Sequence, residues 1–475
     1  MSRDRKAQNK LDELVQTGKD LKAFEKDPEG RSLLKCYHYG VLDAFVVGRI
    51  HQRVERALQE RKNLGNPFLP PELHRGNFVL GLDRRQQWLW TFMQVLNAHT
   101  LIVAGTGAGK TTLSKFHAIQ IAPHVRGMWL VDLRKREYRA LRPVFARLGI
   151  DLKIIRGRKF CINPLQVPMG VEPIEYAATA ADLLVSVLNL PPRASTLLRT
   201  TIIKLYRANG VLAGGRRFPT MFCLFEAIRS DRSANAQARQ AALDQLEAIL
   251  TALGPDILGY HCGWDPHELA RQHLAMELTG LPESGKDLVL GYLLTAEFMS
   301  RIARGLSNPR MDLWIAFDEA QRLLSQRQET AGYGGNALID LLGLVRGTGV
   351  GLQISVLSTH DLSPNVPNLT GTKIFGRCGS VGEYTTVGRY MGLTSEQIAW
   401  CAHHMVPGLF VGQMADGNWR YPFVFRVPPL TPLPTGDPID TPTDDGNVSA
   451  AVPRLPSVEW VIGRLEHGTT PDNGK

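Results

Sequence analysis

The stretch Leu101–Lys115, LIVAGTGAGKTTLSK, constrains this chain more than any other. Leu101, Ile102 and Val103 read as a buried parallel strand, because a strand covered on both faces is apolar without alternation. The chain then turns through Gly105, Gly107 and Gly109 and enters a helical pattern at Lys110, Thr111 and Thr112. Glycines let the backbone curl so that successive N–H groups face inward, and the following helix aims its positive end at the same point. Such a turn cradles phosphate. Gly105, Thr106, Gly107, Ala108, Gly109, Lys110, Thr111 and Thr112 are therefore candidate ligands of ATP. Lys110 is placed to reach the β- and γ-phosphates, and Thr111 to offer its hydroxyl to Mg²⁺. The pattern usually opens with glycine; here Ala104 stands there, so a methyl group must fit the turn.

A second stretch completes the chemistry. Leu313–Phe317 is an apolar strand that delivers Asp318 and Glu319 at its carboxyl end. In a phosphate-loop enzyme the first acid holds Mg²⁺ and the second orients or activates the attacking water. Strands alternating with helices around two such motifs predict an α/β fold.

The net charge is +10, which favours an acidic partner such as nucleic acid. The stretch after the strand Met128–Asp132 is the most basic. It holds Arg134, Lys135, Arg136, Arg139, Arg142, Arg147, Lys153, Arg156, Arg158 and Lys159 against Glu137 and Asp151. These cations either track a phosphate backbone or form a solvated helix face with salt bridges. Six scattered cysteines lack metal-ligand spacing and fit a reducing cytoplasm. No apolar leader opens the chain and no run of 18 apolar residues occurs, so a cytoplasmic protein with no membrane span of its own is expected.

In order, residues 1–65 are charged and helix-prone, broken by Asp27, Pro28 and Gly30 into two helical pieces. A Pro-rich linker follows, and then Trp88, Trp90, Phe92 and Val95 suggest an aromatic helix. Residues 66–172 and 274–427 form the two parts of the core, separated by an all-helical insertion at 173–273. Residues 325–336 are a polar, Gly-rich loop. Residues 428–475 hold nine of the 29 prolines and read as a disordered tail.

With both motifs placed, the layout resembles the HerA–FtsK group of P-loop ring ATPases, which includes DNA translocases, conjugative coupling proteins and type IV secretion ATPases. AGTGAGKTT at 104–112, WLVDLRKREYRAL at 129–141, Asn163-Pro164-Leu165, LWIAFDEAQRLL at 313–324, LVRGTGVGLQISVLSTH at 344–360 and TKIFGRCGS at 372–380 carry the likeness. It implies a RecA-like P-loop NTPase core with a mostly parallel central sheet, and a homohexamer with ATP held between subunits. It also implies translocation of double-stranded DNA, or a conjugation or secretion motor docked on a membrane partner. A nucleotide-gated scaffold organising a nuclease in phage defence is a third reading. The same likeness implies an arginine reaching into the neighbour's site. Arg377 is the candidate finger and Arg346 an interface or sensing residue. His360 stands where members often carry glutamine, a candidate sensor of the γ-phosphate.

Overall fold

The structure is a computed structural model. It describes residues 2–20, 23–25, 27–63, 66–232, 235–307, 310–320, 324, 337–345, 347–360, 362–415, 419–428, 430 and 444. Arg346, the loop 325–336 and all of 428–475 except residues 428, 430 and 444 lie outside these. The chain divides into two compact units, one of residues 1–68 with 392–406, the other of 69–391 with 407–475.

The first unit contains three N-terminal helices, α1 (Ser2–Asp20), α2 (Pro28–His38) and α3 (Ala44–Asn63), rather than the two pieces expected. The extra break follows α2, where Gly40 takes a positive φ of 71°. Asp27 caps α2 by accepting the Gly30 N–H at 2.8 Å, with Pro28 opening the helix. Leu11, Val15, Phe24, Leu33, Val46, Ile50 and Val54 form its core. The helix Ser395–His404 belongs to this unit, and its Trp400 packs edge-on against Phe68.

The second unit is built on one sheet of eleven strands, ordered β2-β1-β11-β10-β9-β3-β8-β7-β4-β6-β5. In chain order these are β1 (Phe78–Leu82), β2 (Trp88–Thr91), β3 (Thr100–Val103), β4 (Gly127–Asp132), β5 (Leu152–Arg156), β6 (His273–Glu277), β7 (Leu313–Asp318), β8 (Val350–Val356), β9 (Thr372–Phe375), β10 (Leu409–Met414) and β11 (Phe423–Arg426). From β5 to β9 the sheet is parallel; β10, β11, β1 and β2 extend it antiparallel. β4 and β8 are buried at every position; β4 is apolar up to Asp132, while β8 buries Gln353 and Ser355 among apolar residues.

Trp88–Thr91 is a strand and not the start of a helix. Trp88 and Trp90 are exposed while Leu89 and Thr91 are buried, the period-two pattern of a half-buried strand.

Helices cover the sheet. α4 (Lys110–Ile121) follows β3, and the short α5 (Arg142–Arg147) follows β4. Between β5 and β6 the chain is helical, through α6 (Pro173–Val187), α7 (Arg193–Ala208), α8 (Met221–Ser230), α9 (Ala236–Leu253), α10 (Pro255–Leu258) and α11 (Pro266–Leu269). α12 (Glu283–Ala303) is buried along most of its length. Its Arg301 donates to Glu297 Oε1, to Asp312 Oδ1 at 2.7 Å and to the Thr348 carbonyl at 2.8 Å. A buried guanidinium is tolerated only when so satisfied. The network ties α12 to the segments that open β7 and β8.

Asp444 is held at the sheet edge. It exchanges backbone and side-chain bonds with Ile154 of β5, at 2.8 and 3.0 Å, and pairs with Arg142 at 3.0 Å. Among the described residues no helix is long and apolar enough to cross a membrane.

Candidate functional site

The glycine-rich loop leaves the carboxyl end of β3, in the middle of the sheet. Ala104 N–H donates to the Val356 carbonyl of β8 at 3.2 Å, and Gly105 N–H to the Arg377 carbonyl beyond β9 at 2.7 Å. The loop is thus clamped from both neighbouring strands. Gly107 and Gly109 take φ of 72° and 101°, where side chains are strained. Gly109 caps α4 without a side-chain acceptor, so the first turn's N–H groups receive no capping oxygen from it.

Ala104 is fully buried. Its methyl fits because Gly376 faces it: a Cβ placed on Gly376 would stand 3.0 Å from Ala104 Cβ and 2.8 Å from the Phe410 ring. The methyl at the first loop position is matched by a missing side chain just past the end of β9.

Lys110 is buried and donates Nζ to the carbonyls of Ala104 and, at 3.1 Å, Gly105. Burial lowers its pKa, opposed by the charges of Asp318 and Glu319. Thr111 Oγ1 donates to Asp318 Oδ2 at 3.1 Å, while Asp318 Oδ1 is buried without a hydrogen-bond partner. Two oxygens from the loop and a strand end, one of them orphaned, form a hard-donor set of the kind Mg²⁺ takes. Glu319 sits just beyond β7 with φ of 61°, a left-handed conformation that costs a non-glycine residue about 1–2 kcal/mol. Its carboxylate meets Arg134 Nε at 3.1 Å.

Further groups hold this arrangement. Asp132 ends β4 and accepts the N–H groups of Lys135 and Glu137 at 2.8 and 2.6 Å. Burial pushes its pKa up to about 7. Gln353 of β8 donates to Ser114 Oγ at 2.6 Å and meets His117 Nδ1 at 2.8 Å, pinning α4 to the sheet. Burial lowers the His117 pKa to about 4.

The expected residues do not all converge. Gly105–Thr112, Asp318 and Glu319 lie together. Arg377 reaches the loop only through its carbonyl; its side chain is exposed. His360 is exposed in the turn after β8, its N–H donating to Ser358 Oγ at 3.1 Å. Glu383 organises that turn, accepting from Ser358 Oγ at 2.8 Å and from Thr359 N–H and Oγ1 at 2.5 and 2.8 Å. Sequence reasoning missed Glu383, Gly376 and the Arg134 pairing. Only Glu383 left a local signal, three residues after a capping serine, Ser380. The basic stretch is partly spent internally. Arg139 forms a buried pair with Glu277, Arg142 pairs with Asp444, and Arg134 with Glu319.

No protein-family model matches the chain, and no curated protein does. Among solved structures, VirB4 of Thermoanaerobacter pseudethanolicus is similar with a TM-score of 0.57 and 18% identity, over 75% of this chain and 97% of that one. The plasmid coupling protein TrwB in complex with ADP and Mg²⁺ aligns with a TM-score of 0.48 and 14% identity, over 70% and 85%. The genome packaging NTPase B204 from Sulfolobus turreted icosahedral virus 2, in complex with AMPPCP, aligns at 0.33 and 13%, over 70% and 100%. The VirB4 likeness shows the fold: this chain has an α/β, RecA-like P-loop core with a mostly parallel central sheet.

Proposed function

We propose that this chain is a Mg²⁺-dependent ATPase whose homohexamer uses hydrolysis to translocate double-stranded DNA. The observation that carries the reading is the Thr111–Asp318 contact at 3.1 Å with Asp318 Oδ1 orphaned beside it. Thr111 and Asp318 would hold Mg²⁺, which would supply positive charge to the phosphates. Lys110 exchanges its loop carbonyls for β- and γ-phosphate oxygens, and the backbone of 105–112 cradles the rest. Glu319 accepts a proton from water as the water oxygen bonds to γ-phosphorus. The bond to the bridging oxygen breaks and its electron pair leaves with ADP.

Arg377 and Arg346 are assigned to a neighbouring subunit's site, where a cation neutralises charge developing on the transferred group. His360 is assigned to sensing the γ-phosphate from the segment that Glu383 holds. The net charge of +10 supports an anionic polymer as cargo. Contact with it falls to the exposed cations of the basic stretch, Lys135, Arg136, Arg147, Arg156, Arg158 and Lys159.

The test is hydrolysis by purified protein with and without duplex DNA, beside native mass with and without ATP. K110A and E319Q should each lower kcat by about 100-fold or more while the protein stays folded. Full turnover in either removes the site assignment. Turnover indifferent to duplex DNA, with no DNA binding, removes the cargo.

A second reading, a motor of conjugation or secretion docked on a membrane partner, is favoured by the exposed Tyr39, Val41 and Phe45 of the N-terminal unit. Membrane association that depends on a partner, and is lost in Y39S/F45S, separates it from a free translocase.

A further inference from the structure

Three side chains of the site are paired with protein atoms in places a reacting complex would need. Lys110 rests on its own loop, Thr111 on Asp318, and Glu319 on Arg134. The first two pairings involve residues of the two motifs. The third brings in a residue that neither motif contains.

Arg134 reaches Glu319 for a topological reason. β4 lies beside β7, with Val131 opposite Phe317, so the residues just past the two strand ends are neighbours. The segment carrying Arg134 is fastened beneath, since the Asp132 carboxylate holds the N–H groups of Lys135 and Glu137. The guanidinium is presented from a fixed backbone; its side chain is 56% exposed against 19% for Glu319. The contact ties one carboxylate oxygen, Oε2, to a cation from outside the two motifs and so fixes where the Glu319 carboxylate rests.

We infer that Arg134 is a positioning residue that parks Glu319 away from the attacking water and so suppresses hydrolysis when the motor has no work to do. The inference rests on the reading of Glu319 as the base. An ion pair this exposed is weak, which suits a latch that opens readily once the motor engages its cargo.

The test compares wild type, R134A and R134K in steady-state ATP hydrolysis without polymer. R134A is expected to raise kcat about two- to fivefold, the range an exposed pair supports, with KM unchanged. R134K, which keeps the charge but not the guanidinium nitrogen that meets Oε2, should fall between. A second readout needs no turnover. In ligand-free protein, R134A and E319Q should shift the melting midpoint non-additively, the double variant melting no differently from the more affected single. A kcat in R134A equal to or below wild type, or additive melting shifts, overturns the latch. The prior reading fails separately: it falls if wild type has no turnover or K110A retains it, whereas a wild type silenced by K110A but indifferent to R134A removes the latch alone.

Discussion

The methyl group of Ala104 occupies space that Gly376 leaves open, across the gap between the glycine-rich loop and the end of β9. G376A should therefore strain the loop it never touches in sequence. Overpacking of this kind costs about 1–3 kcal/mol. A104G should recover part of the loss, the remainder belonging to the Phe410 ring. Urea unfolding of the two single variants and the double measures both terms.

Glu319 holds a backbone conformation that glycine adopts freely. E319G and E319A both remove the carboxylate and its pairing with Arg134. They differ in whether a Cβ remains, so E319G should be more stable than E319A by about 1 kcal/mol. Both should lose turnover, separating the strain from the chemistry it serves. Equal stabilities would show that the left-handed turn is not populated in solution.

Two buried groups tilt stability with pH in opposite directions. Asp132 titrates near 7 when folded and near 3.8 otherwise, so the fold binds the extra proton between them. Its contribution is fully present below about pH 4 and lost as pH rises to 7. His117 titrates near 4 when folded and near 6.5 otherwise. Its contribution is present above pH 6.5 and lost as pH falls to 4. Each span corresponds to about 3–4 kcal/mol. D132N should therefore make stability rise more steeply from pH 4 to 7, and H117Q should make it fall. Denaturant midpoints across that range distinguish the two.

Glu383 carries three hydrogen bonds to Ser358 and Thr359. E383A should loosen the turn after β8 and speed hydrogen exchange at the Thr359 amide by about tenfold or more, since a bond to a charged acceptor is worth about 1.5–3 kcal/mol. Turnover should fall further in E383A than in H360A, because the carboxylate fixes the segment that carries His360. The reverse order would return the leading role to the imidazole.

That the loop 105–112 and the acids at 318 and 319 belong together was legible in the residues. Val103 to Thr112 and Leu313 to Glu319 announce themselves because an unbroken apolar strand followed by glycine, or by paired acids, has few other uses. The Arg134–Glu319 pair was not legible, because it depends on β4 lying beside β7, a matter of strand order. Gly376 looks like any glycine until Ala104 is set against it. The aromatic stretch from Trp88 misled for a specific reason: Trp88, Phe92 and Val95 fall at helical spacing, and a four-residue strand gives alternation little length to compete.

β5 is the last strand of the sheet on its side, and one residue far along the chain, Asp444, bonds to its outer edge at Ile154. An open strand edge is a template that any extended peptide can copy. Proteolytic trimming ahead of Asp444 would uncover that template. Chains lacking Asp444 should then join edge to edge more readily than the full chain.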